Sequence, residues 1–170
     1  MSDPIKTDQL ESNIPDYFPI SVIMESRPSN SPWIDENWDA VGLVSKRNDV
    51  DNNSQIIDQE GFQQRIYSGL RIRLYLDECE SYYHNLMSPE PSCFIVARDE
   101  DEEGNDTDSP IPFLVTLSFD EAHAYLEGDD TVYSVAIPPE LYRWAETYIV
   151  QNYTAEKRKK RKRKDWRKGE

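Results

Sequence analysis

Cysteine and histidine are the side chains best suited to bind a metal ion or to attack a substrate. The chain has two of each, namely Cys79, His84, Cys93 and His123. Protein metal sites usually take their ligands in tight pairs such as C-x-x-C, and no such pair occurs here. Cys79 and His84 are five positions apart, which on a helix separates them by about 140° around the axis. We therefore predict no metal site and no thiol nucleophile, and we interpret both cysteines as small buried apolar groups.

Phosphate binding and paired-carboxylate catalysis are two further chemistries that residue spacing can indicate. The six glycines are dispersed in neither a G-x-G-x-x-G nor a Walker pattern, which argues against nucleotide hydrolysis and dinucleotide chemistry. Asp and Glu together number 33, so spacing alone singles out no catalytic pair among them. The sequence nominates no catalytic residue, no cofactor and no small-molecule substrate.

A basic C-terminal tail stands well above the background composition. Eight successive positions carry Lys or Arg: Lys157, Arg158, Lys159, Lys160, Arg161, Lys162, Arg163 and Lys164. Residues 157–170 carry ten basic and two acidic side chains, a net charge of +8, whereas residues 1–156 carry 9 basic and 31 acidic side chains, a net charge of -22. The tail should attract an acidic protein, a nucleic acid or the acidic body of the same chain. A nuclear-import signal has the same composition.

Trp33 is the other candidate for binding a partner. Most bulky aromatic residues stand at helical or strand spacing, which favours a place in the core. Trp33 instead follows Pro32 in a turn-rich segment, residues 29–37, where a core residue and an exposed anchor are both compatible with the pattern. We take Trp33 and the eight tail residues as candidate partner-binding residues.

Length and composition predict one domain in the cytoplasm. A chain of 170 residues can bury one core but is short for two. No apolar run approaches the roughly 18 to 20 residues that cross a bilayer, and residues 1–10 lack the basic start and apolar stretch of a secretion signal. Two cysteines are too few for a disulfide framework. We expect neither a membrane partner nor a disulfide.

Seven segments have the β-favouring or alternating apolar residues of strands. They are residues 18–24, 38–44, 62–67, 70–76, 93–97, 113–117 and 131–137. The third and fourth flank Ser68 and Gly69, which predicts a β-hairpin at that point. In its second arm, apolar positions 70, 72, 74 and 76 alternate with polar ones, which predicts one solvated face.

Three helices are predicted, and the first two begin at sequences that resemble capping boxes, Asp77 with Glu80 and Ser118 with Glu121. The first helix should bury positions 79, 82, 83 and 86, and the second positions 119, 122 and 126. The third follows Pro138 and has an apolar face at positions 141, 144, 145, 148 and 149. The basic run that follows could be a frayed extension of this third helix.

These elements predict an α+β domain with one antiparallel or mixed sheet of five to seven strands, covered by three helices. We place the domain at residues 17–153, after a disordered lead-in at residues 1–16 and before a basic tail at residues 154–170. Residues 99–112 carry seven acidic side chains between positions 99 and 108, and we predict an acidic, solvated loop there.

Several short segments form a recognisable series along the chain. It begins with FPISVIMESRPS at residues 18–29, Trp33 and WDAVG at residues 38–42, and it continues through YHNL at residues 83–86, VTLS at residues 115–118 and the Lys/Arg-rich ending. These segments resemble an uncharacterised bacterial family, domain of unknown function 3305. The long acidic segment and the polar N-terminal extension depart from the family pattern.

The resemblance implies an accessory role and brings no catalytic residues. Members of that family are often encoded near genes for molybdenum-dependent formate dehydrogenases, and some carry labels naming molybdenum-cofactor biosynthesis. A nucleotidyltransferase activity fits this chain badly, because it needs a glycine-rich phosphate loop that the sequence lacks.

We expect a non-enzymatic accessory or adaptor protein whose folded body and basic tail bind an acidic protein partner. It could support a molybdenum-dependent formate dehydrogenase system, as the resemblance implies. The rival hypothesis is a nucleic-acid-associated protein that binds weakly and without sequence preference through its tail. An enzyme with an unrecognised site is the third alternative, since a fold alone does not determine function.

Overall fold

The computed structural model describes residues 14–33, 36–45, 54–59 and 61–153. These residues form an α+β fold with three α-helices, and the seven strands among them lie in two sheets. The strands are β1 Tyr17–Pro28, β2 Glu36–Ser45, β3 Ser54–Gln59, β4 Phe62–Arg73, β5 Ser92–Glu100, β6 Asp106–Thr116 and β7 Thr131–Ala136. The helices are α1 Cys79–Leu86, α2 Phe119–Leu126 and α3 Pro139–Asn152, with a short 3-10 helix at Leu76–Glu78 before α1.

The prediction of a single sheet is wrong. One sheet has the strand order β2-β1-β4-β3 and the other has the order β6-β5-β7, and every pairing is antiparallel. Strand β4 contacts β6 and strand β2 contacts β7, so the two sheets pack against each other. The apolar pattern of a strand shows which face is buried, but it does not show which strands pair.

Strand β1 supplies the centre of the first sheet. Its alternate residues Ile20, Val22 and Met24 are buried in the core cluster, because successive side chains of a strand point to opposite faces. Cys93 and Ile95 of β5 belong to the same cluster. One hydrophobic core therefore lies between the sheets, and the helices close part of it.

The predicted hairpin at Ser68 and Gly69 is wrong, because β4 is one continuous strand through both residues. Ile20 pairs with Leu70 and Val22 pairs with Tyr67, so two residues of β4 stand opposite one residue of β1 in a β-bulge. Gly69 has a φ of 80°, which glycine adopts without steric cost. The glycine therefore marks a bulge and not a turn, and the solvated face predicted for the second arm is present at Arg71 and Arg73.

The predicted acidic loop at residues 99–112 is also wrong. Strand β5 continues to Glu100 and β6 begins at Asp106, so only residues 101–105 form the turn of a β-hairpin. The Asp101 carboxylate accepts hydrogen bonds from the backbone N–H groups of Glu103 and Asn105 at 3.0 and 2.8 Å. Of the seven acidic side chains, all but Asp101 are exposed, and the strands pair even though Glu100 and Asp106 stand opposite each other.

Only one of the two predicted capping boxes has a capping bond. At α2 the Ser118 Oγ accepts from the Glu121 N–H at 3.2 Å, as predicted, although the Glu121 carboxylate accepts from Thr116 at 2.6 Å instead of returning to the cap. The predicted box at Asp77 is wrong, because the 3-10 turn moves the N-cap of α1 to Glu78, which makes no side-chain capping bond.

Helix α1 buries Cys79, Tyr82 and Leu86 as its periodicity predicts, but Tyr83, the fourth residue of the predicted apolar face, is exposed. Helix α2 differs from its prediction, because Ala122 is buried while Phe119 and Leu126 are exposed. The α2 helix is two turns long, and Ala122 is the only residue of this helix that is buried. Leu76, predicted to be buried at the end of the hairpin arm, is exposed as well.

Helix α3 buries Leu141, Ala145, Tyr148 and Ile149, which confirms four positions of the predicted apolar face, while the fifth, Trp144, is only partly buried. It ends at Asn152, because Tyr153 has the extended φ and ψ of -107° and 118°. The predicted extension of this helix into the tail is therefore interrupted at Tyr153. The eight basic residues themselves lie outside the described part of the chain. No helix in the described ranges has the length and apolar character of a bilayer span.

The last residues of the predicted lead-in contact the domain. The Asp16 carbonyl accepts from the Leu74 N–H at 2.7 Å, and the Pro15 carbonyl accepts from the Trp144 indole at 2.8 Å. The prediction of disorder is therefore wrong for Pro15 and Asp16, and residues 1–13 lie outside the described chain.

Candidate functional site

Trp33 lies in the loop between β1 and β2, and 91% of its surface is exposed. Its backbone N–H donates to the Ser31 Oγ at 3.3 Å, and the Ser31 N–H donates to the Ser29 Oγ at 3.1 Å. Two successive serine turns therefore shape the loop before the tryptophan. The structure resolves the two alternatives left by the sequence, because Trp33 is an exposed residue and not a core residue.

A network of polar side chains supports the strands that carry this loop. Glu25, near the end of β1, is buried. Its two carboxylate oxygens accept from the Arg27 Nε at 2.5 Å and from the Gln64 Nε2 at 2.8 Å. The hydrogen bonds from Gln64 and Arg27 lower the pKa of Glu25 below its usual value, so the carboxylate is charged at neutral pH. Arg27 also lies over the Phe62 ring at 5.9 Å, which ties β1 to the beginning of β4.

Arg65 joins the two sheets on the opposite face of β4. Its Nη1 donates to the buried Ser109 Oγ of β6 at 2.7 Å, and its guanidinium lies over the Trp38 ring at 5.2 Å. Trp38 pairs with Ser26 across the β1–β2 ladder. The Ser26 Oγ and Trp38 Nε1 are buried without a hydrogen-bond partner among the described residues. The exposed loop is therefore close to a part of the interior that is polar and incompletely hydrogen-bonded.

Both thiols lie in the core, which fits the sequence interpretation. Burial is the first cause of the raised pKa of Cys79 and the cause of the raised pKa of Cys93, so both stay protonated, the less reactive form. The Cys79 thiol donates to the Tyr75 carbonyl at 3.8 Å. His84 and His123 are exposed on their helices. Within the described ranges, no three His, Cys, Asp or Glu side chains are grouped to hold a metal ion.

Two open clefts lie outside the Trp33 loop. One, of about 520 Å³, separates β4 from the β5–β6 hairpin and has Arg98 and Glu100 among its lining residues. The other, of about 430 Å³, is lined by Tyr75 and four acidic residues at the starts of α1 and α2, namely Asp77, Glu78, Asp120 and Glu121. The Glu78 carboxylate already accepts a hydrogen bond from the Ser118 hydroxyl, and the Glu121 carboxylate accepts one from the Thr116 hydroxyl. Both carboxylates therefore stabilise the start of α2.

A third concave surface, of about 240 Å³, is the apolar groove between α1 and α3. We call it the α1–α3 groove, and its lining residues are Tyr83, Leu86, Met87, Glu146, Ile149, Val150 and Tyr153. Met87 and Val150 are 58% and 75% exposed. The sequence pattern predicts neither as a binding residue. Val150 nevertheless carries a signal, because it is an apolar residue of α3 that lies beside the buried face and not on it.

The predicted partner-binding residues cannot be placed together. Trp33 is described, and it lies on a loop at one end of the first sheet. Lys157, Arg158, Lys159, Lys160, Arg161, Lys162, Arg163 and Lys164 lie outside the described ranges. The described chain reaches the tail at Tyr153, whose ring packs against that of Tyr83 beside the α1–α3 groove, with centroids 5.4 Å apart and planes tilted by 38°.

Comparison with protein families gives one match. The model of a family described as a protein of unknown function (DUF3305) matches residues 19–163. The matched region begins inside β1, contains every later element and extends into the basic run. Neither the curated proteins nor the solved structures contain a match to the chain.

Proposed function

The chain belongs to the DUF3305 family of proteins of unknown function, and we propose that it is a non-enzymatic accessory or adaptor protein that binds an acidic protein partner. Its folded body makes the specific contact through the Trp33 loop. The basic tail adds electrostatic attraction, which mainly raises the rate of association.

The exposure of Trp33 is the observation that carries this proposal. Tryptophan is among the residues most enriched at the energetic centres of protein interfaces, because it buries a large area and still has an N–H donor. A tryptophan with 91% of its surface in water leaves that area available for a partner.

The strands beneath the loop support the same conclusion. Glu25, Arg27 and Gln64 hold the end of β1 against β4, and the Pro28 ring lies next to Gly61, which has a φ of 78°. A side chain on a supported hairpin loses less conformational freedom on binding than one on a free segment, so more of its contact energy appears as affinity.

A binding role also agrees with the state of the thiols. Cys79 and Cys93 are buried, and burial raises the pKa of each. A protonated and inaccessible thiol is a structural side chain and not a nucleophile.

The partner class follows from charge and from the family resemblance. Residues 157–170 carry a net charge of +8, which attracts an acidic surface. The resemblance suggests that this surface belongs to a subunit or assembly factor of a molybdenum-dependent formate dehydrogenase system.

The test begins with affinity capture from the native host using the full chain, followed by mass spectrometry. The captured protein is then purified, and its affinity is measured for the parent, for Trp33→Ala and for Leu76→Ala. Leu76 is an exposed apolar residue just beyond the other end of β4, so its variant is the matched control.

We expect Trp33→Ala to weaken the affinity by at least about thirtyfold, which corresponds to about 2 kcal/mol, and Leu76→Ala to leave it unchanged. Equal affinities for the parent and Trp33→Ala would contradict the role of the loop. The absence of formate dehydrogenase components from the captured proteins would contradict the partner class alone.

Nucleic-acid binding is the second candidate, and the basic tail is the observation that favours it. Binding through six to eight phosphate contacts would give a slope of about -5 to -7 for log affinity against log salt. The acidic body opposes such binding, so we expect dissociation constants of only about 10⁻⁴ to 10⁻⁶ M at physiological salt. Submicromolar, sequence-selective binding that is lost in a chain ending at Glu156 would replace the adaptor hypothesis with this one.

A further inference from the structure

The α1–α3 groove has the size and the apolar lining of a binding site for one large apolar side chain. Its volume is about 240 Å³. Leu86 and Ile149 are buried at its floor, and Tyr83, Met87 and Val150 present 37%, 58% and 75% of their surfaces to solvent. Burying such apolar surface is favourable at about 25 cal/mol per Å².

The chain itself passes this groove. Helix α3 ends at Asn152, whose Nδ2 donates to the Tyr148 carbonyl at 2.9 Å, and Tyr153 turns into an extended conformation. Tyr153 lines the groove, and its ring packs against that of Tyr83 in a tilted arrangement. The described chain therefore reaches the edge of the groove at Tyr153, the residue to which the tail is attached.

Residues 154–170 contain one large apolar side chain, Trp166, within a predominantly basic sequence that also includes Glu156, Asp165 and Glu170. Thirteen positions separate it from Tyr153. A flexible chain of that length has an end-to-end distance of about 20 Å, while packed helices such as α1 and α3 lie about 8 to 10 Å apart. Trp166 can therefore reach the groove easily, even though like charges extend the tail.

Charge supports the same contact. Glu146 of α3 lines the groove, and Glu80 lies on α1 one turn before Tyr83, with a carboxylate that is exposed and lies 3.6 Å from the His84 Nε2. Arg167 and Lys168 follow Trp166 directly. Basic residues beside a seated indole would face these two carboxylates, and the attachment to Tyr153 gives the tail a millimolar effective concentration at the groove.

We propose that the α1–α3 groove binds the chain's own C-terminal tail, with the Trp166 indole seated against Tyr83, Met87 and Val150. The tail then has two states, one on the body and one free for an external partner. The contact does not depend on the adaptor role, because it involves neither the Trp33 loop nor another protein.

The test uses the full chain and the indole N–H signals in a nitrogen–proton correlation spectrum. The Trp166 signal is assigned by its loss in Trp166→Phe. Its position is compared in the parent, in Val150→Lys and in Leu126→Lys, with a peptide of residues 157–170 as the reference for a free tail. Val150 and Leu126 are both exposed, so both variants should fold, and Leu126→Lys adds the same charge on another helix.

We expect the parent's Trp166 signal to differ from that of the peptide, Val150→Lys to move it to the peptide position, and Leu126→Lys to leave it in place. A parent signal at the peptide position would overturn the proposal, and it would mean that the basic run interacts with the body through charge alone or not at all. Equal effects of the two lysine variants would overturn it as well.

A dilution series separates the chain's own tail from that of a second copy. An intramolecular contact keeps the Trp166 signal fixed as the protein is diluted, and this is the expected result. A signal that moves towards the peptide position on dilution would assign the groove to the tail of another copy and overturn the proposal in its stated form. Partner affinity enters none of these measurements, so their outcome is independent of the proposed function.

Discussion

Two tryptophans in different regions of the molecule have opposite surroundings. Trp33, between β1 and β2, is almost fully exposed. Trp144, on α3, is partly buried: its ring lies 5.3 Å from that of Phe18, and its indole donates to the Pro15 carbonyl. The chain therefore uses tryptophan for two purposes. Trp144 attaches the segment before β1 to α3, and Trp33 presents an apolar group to solvent.

The neighbours of each tryptophan determine its role. Trp144 lies where a helix, a strand and the incoming chain meet, so three elements share its surface. The described neighbours of Trp33 are turn residues that bond to one another and leave the ring uncovered. Substitutions in the two regions should therefore differ in whether they affect folding or binding.

The largest effect is expected for Trp144→Ala. The substitution removes the contact with Phe18 and the hydrogen bond to Pro15. Because the residue is only partly buried, we expect a loss of about 3 kcal/mol in the free energy of unfolding, at the low end of the range of about 3 to 5 kcal/mol for large core residues. Urea denaturation measures it, and a loss below about 1 kcal/mol would remove the contrast with Trp33.

Glu25→Gln tests the base of the Trp33 loop and should cost about 1 to 2 kcal/mol at neutral pH, because it weakens charge-assisted hydrogen bonds. The pKa of Glu25 is lower in the folded protein than in the unfolded chain. Its stabilising effect is therefore present above the unfolded pKa and is lost as the pH falls through the folded pKa. The stability difference between parent and variant should shrink as the pH falls below about 4.5, the ordinary pKa of a Glu carboxyl. A difference that stays constant over this range would assign the cost to packing instead.

Trp33→Ala should change the free energy of unfolding by no more than about 0.5 kcal/mol, as for other exposed positions without special contacts. The same variant is expected to lose partner affinity. Thermal unfolding and the affinity measurement should be made on one preparation. A melting temperature lowered as much as that of Trp144→Ala would show that Trp33 packs on the fold.

No loss of stability is expected at Ser26, which is 1% exposed and whose Oγ has no partner among the described residues. Ser26→Ala removes a buried hydroxyl that forms no bond there, so stability should be unchanged or rise by up to about 1 kcal/mol. Ser118→Ala is the control, because that hydroxyl caps α2 and its loss should cost about 1 kcal/mol. Equal losses for both variants would mean that a bound water or ligand satisfies Ser26.

Local periodicity made part of this fold predictable. The apolar face of α3 and the alternation of Ile20, Val22 and Met24 follow from spacing alone, because they reflect the geometry of one element. The pairing of strands into two sheets depends on contacts between distant segments, which spacing does not encode. Gly69 was misinterpreted for a related reason, since a glycine between two apolar runs has the same pattern in a turn and in a bulge.

The candidate sites were less predictable than the fold. Trp33 was identified from its setting, but its exposure depends on what packs near the β1–β2 loop. The acidic composition of residues 99–108 predicts a loop, whereas the apolar residues that continue into β6 favour a strand. The α1–α3 groove arises from two helices that meet in space, and Val150 was its one signal in the sequence.

The bulge at Ser68 and Gly69 gives β4 one residue more than its pairing with β1 requires. Deleting Gly69 would leave Tyr67 and Leu70 two positions apart, the spacing that keeps both on the same face. Deleting a residue elsewhere within the paired part of β4 would turn one section of the strand over and bring its polar side chains into the core. This position is therefore one at which β4 can lose a residue in the course of evolution without exchanging its inner and outer surfaces.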